Sequence, residues 1–166
     1  PAQIAPILRG LTSNSTKSKF ILTFRNNKTL KYFINGIEVA RYSTEGTATP
    51  DHVIRVKPFP LIIKPKLKSS ISEFEKTAKK AFIKYRKKYL QYFEQNQKKV
   101  KEKKIMLDTS PRVIIVQNIG IFCVGNSLKA ANIAADLTET NARVISSVEE
   151  TSKYKFIPKK DIFDVE

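Results

Sequence analysis

Apolar positions recur in two different rhythms along this 166-residue chain. Over residues 70–97, Phe74, Ala78, Ala81/Phe82, Tyr85, Tyr89 and Tyr92/Phe93 return at steps of three and four, the spacing of one buried helix face. Ser70 and Ser72 each precede an acidic residue three positions on, Glu73 and Glu75, as in a capping box. A second helix is expected over residues 127–147, with Leu128, Ala131, Ala135, Ala142 and Ile145 on one face and Asn126 as its cap. Contiguous β-forming runs predict strands at 20–24 (FILTF), 112–117 and 120–124, the last two joined by a tight reversal at Gly120. Residues 52–63, HVIRVKPFPLII, also have β character, but Pro58 and Pro60 confine them to an edge strand or a bulge.

Between these elements the pattern is weaker. Asn26 and Asn27 break the first strand, and residues 29–35 fit a short helix or a second strand equally well. GTATP at 46–50 reads as a loop, and KKVKEKK at 98–104 as the solvated end of the long helix. The TSNSTKSK stretch makes residues 1–19 an N-terminal connection, and the tail 151–166 reads as an irregular or turn-like linker. A domain over 20–150 lies between them. At 41% hydrophobic it can bury a sizeable core.

No 18-residue apolar run is present, so no membrane span is expected, and the N-terminus lacks the order of a signal peptide. The single cysteine, Cys123, lies inside the apolar run IGIFCVG and reads as an inert buried side chain suited to a reducing cytoplasm. The sequon Asn14-Ser15-Thr16 carries no weight without a secretory signal. The chain begins without Met and stops at DIFDVE, so a piece of a longer polypeptide is expected; removal of a tag would explain the start equally well.

The net charge of +16 is uneven. Residues 1–68 carry 12 Lys/Arg against 3 Asp/Glu, residues 69–104 carry 12 against 4, and residues 105–166 carry 7 against 8. Lysines interleaved with Tyr85, Tyr89 and Tyr92 raise the alternative of a polyanion- or nucleic-acid-binding module. The tyrosines share one helical face, however, which suits packing on a sheet with the lysines left in solvent. Lysine also far outnumbers arginine, the better bidentate phosphate ligand, so nucleic acid is not the expected partner.

The stretch 111–144, PRVIIVQNIGIFCVGNSLKAANIAADLTETNARV, carries the chemistry. Two strands flank Asn118-Ile119-Gly120, and a helix of small residues follows. This layout resembles the closing segment of the class II aldolase/adducin family, whose triplet reads Asn-His-Gly with a metal-ligating histidine. The resemblance implies an α/β three-layer sandwich, with a central mixed or antiparallel sheet and helices on both faces. It also implies zinc held by a His-x-His pair and the turn histidine, acting as a Lewis acid on an enediolate. Ile119 has no lone pair to offer a metal. The one histidine, His52 in TPDHVIRV, falls roughly where the His-x-His strand would lie. His52, Asn118, Ile119 and Gly120 are therefore degenerate metal-site positions, and no residue is assigned a catalytic, cofactor-binding or metal-ligating role.

Several short stretches sharpen the resemblance: APILRG (5–10), GTATPDH (46–52) with 53–56, the PRV…GIFCVG…A…A segment, and the closing IFDVE. In this order they are similar to the middle module of the bifunctional rhamnulose-1-phosphate aldolase/alcohol dehydrogenase family. That module stands between an aldolase domain with intact metal histidines and a Rossmann-type short-chain dehydrogenase. The resemblance implies that zinc and NAD belong to flanking domains, which would be the partners of this one, and that the assembly is a homo-oligomer. In keeping with it, the chain has no G-x-G-x-x-G, and Tyr85 to Tyr89 is not a Tyr-x-x-x-Lys dyad because the fifth residue is Tyr89.

Overall fold

A computed structural model of the protein describes residues 1–13 and 19–166. In chain order the elements are α1 (Ala5–Ser13), β1 (Ile21–Arg25), α2 (Lys28–Asn35), α3 (Val39–Tyr42), a 3-10 turn (Pro50–His52), α4 (Val53–Val56), β2 (Leu61–Ile63), α5 (Ile71–Gln97), β3 (Val113–Val116), β4 (Gly120–Gly125), α6 (Leu128–Thr151) and α7 (Lys159–Val165). The strands form one mixed sheet in the order β1-β4-β3-β2. β4 is antiparallel to both β1 and β3, whereas β2 runs parallel to β3 along one edge.

Alternation along the strands splits the core in two. Leu61, Ile63, Ile114, Val116, Phe122 and Val124 face a cluster built with α1, α5 and α7. Val113, Ile115, Ile121 and Cys123 face a cluster built with α2, α3, α4 and α6. Helices thus cover both faces, as the three-layer expectation required. Both faces of β3 and β4 are buried at every position, which explains why those strands read as unbroken apolar runs.

The long helix forms for the reason its sequence gives. Phe74, Ala78, Phe82, Tyr85, Tyr89 and Tyr92 are its buried stripe, and Ser70 with Glu73 closes a reciprocal capping box. Ser70→Ala should cost about 1 kcal/mol, read as a lower denaturation midpoint in urea with an unchanged slope.

Several expectations are corrected, and the open choice at residues 29–35 is decided. HVIRV is not a strand: Pro50 opens a 3-10 turn that runs into α4, and Val53 and Val56 are buried one helical turn apart while Ile54 points outward. The β character is confined to Leu61–Ile63, directly after Pro60 and on the sheet edge. Residues 29–35 belong to α2, because the Asn27 side chain caps it by accepting the Leu30 N–H at 2.9 Å. The α6 cap is Ser127, which accepts the Ala130 N–H, and not Asn126; the helix also runs on to Thr151.

The terminal segments pack on the domain as well. Ile4 and Leu8 of the supposed connection are buried in the α5-side core. The loop assigned to its later part rests mainly on residues 14–18, which lie outside the described residues, as does the sequon. The supposed linker forms α7, whose Phe163 ring packs edge-on against Tyr92 and Phe93. Among the described residues, no helix is long and apolar enough to cross a membrane.

Candidate functional site

The turn between β3 and β4 is built from the backbone outward. Asn118 takes the left-handed conformation at φ 65°, which Asn tolerates better than most residues, and the Ile119 N–H donates to the Val116 carbonyl at 3.1 Å. Three further bonds pin the loop. The Gln117 N–H donates to Ile63 O and its side-chain amide to Ile34 O, while the Asn118 N–H donates to Asn35 Oδ1 at 2.8 Å. The Ile119 side chain, at the position where the resemblance would place an imidazole, packs against the α5-side core.

His52 stands elsewhere. Its Nδ1 lies 2.9 Å from Asn141 Oδ1 on α6, and that oxygen also accepts the Ala48 N–H at 2.9 Å. Because a backbone N–H identifies that amide atom as the oxygen, Nδ1 of His52 must carry the proton and donate. Asn141 therefore ties the loop before α4 to the helix on the α2/α6 face of the sheet. Asn141→Ala should destabilise the fold by about 1–3 kcal/mol in chemical denaturation, since it strands two donors.

His52 and Ile119 thus lie on opposite faces of the sheet. Among the described residues, they share no hydrogen bond and no cavity. Nor do any three His, Cys, Asp or Glu side chains converge as a metal would require. One imidazole, fixed by Asn141, and an isoleucine turn do not fit a zinc ion. The cavity beside Asn141, bordered by Thr47, Thr138, Val113 and Ile115, is only about 40 Å³, room for about one water and too small for a sugar phosphate.

The chain belongs to the class II aldolase second-domain family. The family described as "Aldolase class II, second domain" matches residues 1–166. The chain is also similar to the uncharacterized oxidoreductase YuxG of Bacillus subtilis (strain 168), with 24% identity over 99% of this chain and 23% of that protein. It therefore spans less than a quarter of that relative. Among solved structures it resembles YgbL of Escherichia coli, a candidate aldolase/epimerase/decarboxylase, at a TM-score of 0.60 and 12% identity, covering 97% of this chain and 64% of that one. That likeness is one of fold.

A further titratable group of this aldolase-type domain, outside the turn and distinct from His52, is buried. Lys57, between Val56 and Pro58, is 1% exposed and adopts φ 64°, outside the region most residues prefer. Its amine lies 3.9 Å from the centre of the Tyr89 ring and donates to the Asp108 carbonyl. Burial, aided by the Arg112 guanidinium, pushes this amine down to about 7 against the pull of the Asp108 and Glu166 carboxylates. Tyr89 donates to Glu166 Oε1 at 2.6 Å, so α5, α7 and the segment before β3 meet around one buried amine. A lysine set between Val56 and Pro58 in a largely apolar run was the signal available in the sequence.

Cys123 is fully buried and burial pushes its thiol up to about 12, the opposite of what a nucleophile needs. Tyr85, Tyr89 and Tyr92 are likewise buried against Phe59, so none can stack on a base. The structure does not favour the nucleic-acid alternative.

Proposed function

We propose that this domain is a non-catalytic, aldolase-shaped module of a longer bifunctional polypeptide of the rhamnulose-1-phosphate aldolase/alcohol dehydrogenase type. The observation that carries the reading is Ile119, which occupies the turn with an apolar side chain packed on the core. In this reading zinc belongs to a flanking aldolase domain and NAD to a flanking dehydrogenase, and the whole works in the cytoplasm as a homo-oligomer. The module's part is mechanical: it packs against the catalytic aldolase domain or joins protomers. Two further findings support it. The chain spans only 23% of a relative that is named an oxidoreductase, and its aldolase-type scaffold is kept nearly end to end.

The test is sedimentation velocity on the isolated domain and on the domain joined to its flanking aldolase. The expected result is a change of oligomeric state on joining. Two units that sediment as independent monomers would contradict the interface role.

A further inference from the structure

The turn that carries Ile119 also forms one wall of a groove of about 320 Å³. Ile119 and Ile4 supply its apolar floor, and the loop from Pro65 to Ile71 forms the opposite lip. That lip presents Leu67, 85% exposed, and Ile71, 43% exposed, beside the cations Lys66 and Lys68. No carboxylate lines the groove. Glu73, which Lys66 faces, is already held by the backbone N–H and hydroxyl of Ser70. The N-terminus of the 27-residue α5 opens at the same place and adds positive potential.

Backbone strain gathers here too. Among the described residues, non-glycine positions with positive φ are Lys57, Lys68 and Asn118, and the last two form the lips of this groove. Such conformations persist where surrounding structure holds them and cluster at binding surfaces. An exposed leucine on a strained lip, above an apolar floor and flanked by Lys66 and Lys68, is the inverse of an acidic segment with one bulky apolar side chain.

We propose that this groove docks an acidic polypeptide segment. It would insert an apolar anchor between Leu67 and Ile119 and set its carboxylates against Lys66 and Lys68. The inference rests on the reading of the domain as an interface module and names the face used. Phosphate-rich partners suit it less, since two lysines supply few phosphate contacts and leave Leu67 and Ile71 without a role.

The probe is a fluorescein-labelled peptide of glutamate and leucine, followed by anisotropy at near-physiological salt, beside a version with serine for leucine. Saturable binding is expected, weakened about tenfold or more by Leu67→Ser and by Lys66→Glu/Lys68→Glu. The control Lys98→Glu/Lys99→Glu should leave it unchanged. All five positions are exposed, so the variants should fold, as circular dichroism would verify. Equal weakening by both charge reversals, or equal affinity for the serine peptide, would reduce the effect to diffuse attraction by the +16 chain and overturn the proposal. Self-association abolished by Leu67→Ser would make a second copy the occupant and overturn it as well. Metal content and turnover are blind to Leu67→Ser, so the groove and the non-catalytic reading can fail independently.

Discussion

Between pH 7 and 9 the protein should gain stability as the solution is made more alkaline, and Lys57→Met should abolish the gain. In the unfolded chain the Lys57 amine titrates near its ordinary 10.5, whereas in the fold burial holds it at about 7. Across that interval the unfolded state binds a proton that the folded state does not, so stability rises with pH. The contribution is complete above 10.5 and is lost as pH falls toward 7. One pH unit of such a difference corresponds to about 1.4 kcal/mol, so roughly 2 kcal/mol is expected between pH 7 and 9.

Other buried groups then reverse the trend. Cys123 is raised from 9.0 to about 12, Tyr42 and Tyr154 from 10.0 to about 12, and Tyr85, Tyr89 and Tyr92 higher still, chiefly by burial. Each is neutral in the fold and ionised in the unfolded chain above its ordinary value, so each costs stability beyond pH 9–10. The wild type should therefore peak near pH 9. Lys57→Met should be level from 7 to 9 and no less stable than wild type at pH 7, because replacing a buried charge by a packed apolar chain is commonly neutral or favourable. Urea midpoints measured across this range decide the matter; a slope surviving in Lys57→Met would show that another group carries it.

Gly120→Ala should be among the most damaging single substitutions in the chain. Gly120 has φ 151°, a conformation that residues with a side chain rarely adopt. A methyl group there would lie 2.6 Å from the Arg25 carbonyl oxygen and 2.7 Å from the Phe24 ring. The first neighbour is backbone of the paired strand, and Arg25 is held in register opposite Ile121, so neither can yield cheaply. Backbone strain and overpacking together predict a loss of about 3 kcal/mol or more. Differential scanning calorimetry would check it, and a cost under about 1 kcal/mol would mean the turn relaxes freely.

The long helix, the two central strands and the reversal at Gly120 were legible because local chemistry and burial agree there. Phe74 to Tyr92 repeat at helical spacing, and the Ser70–Glu73 cap lies four residues wide. The misreadings occur where local preference and tertiary context part. Val53, Ile54 and Val56 favour strands by side-chain shape, but a turn opened at Pro50 makes them a single helical turn. Phe163 looked like part of a tail because its partners, Tyr92 and Phe93, lie some seventy residues away. Lys57 was one of 31 basic residues, and its partners at 89, 108 and 166 come together only in the fold. Likewise, the sequence showed His52 to be solitary, but not that Asn141 would fix its tautomer.

These features give the turn at Asn118-Ile119-Gly120 a structural role. Asn118 and Gly120 supply backbone conformations that the hairpin needs whether or not a metal is bound, and Ile119 extends the core between them. In the proposed reading, the aldolase-type scaffold is therefore kept and the chemistry is assigned to a flanking domain. The most direct test is elemental analysis of the purified domain after equilibration with zinc and gel filtration, alongside a retro-aldol assay with a sugar phosphate. The account predicts far less than one zinc per chain and no turnover above the protein-free rate. One zinc per chain together with turnover would contradict it.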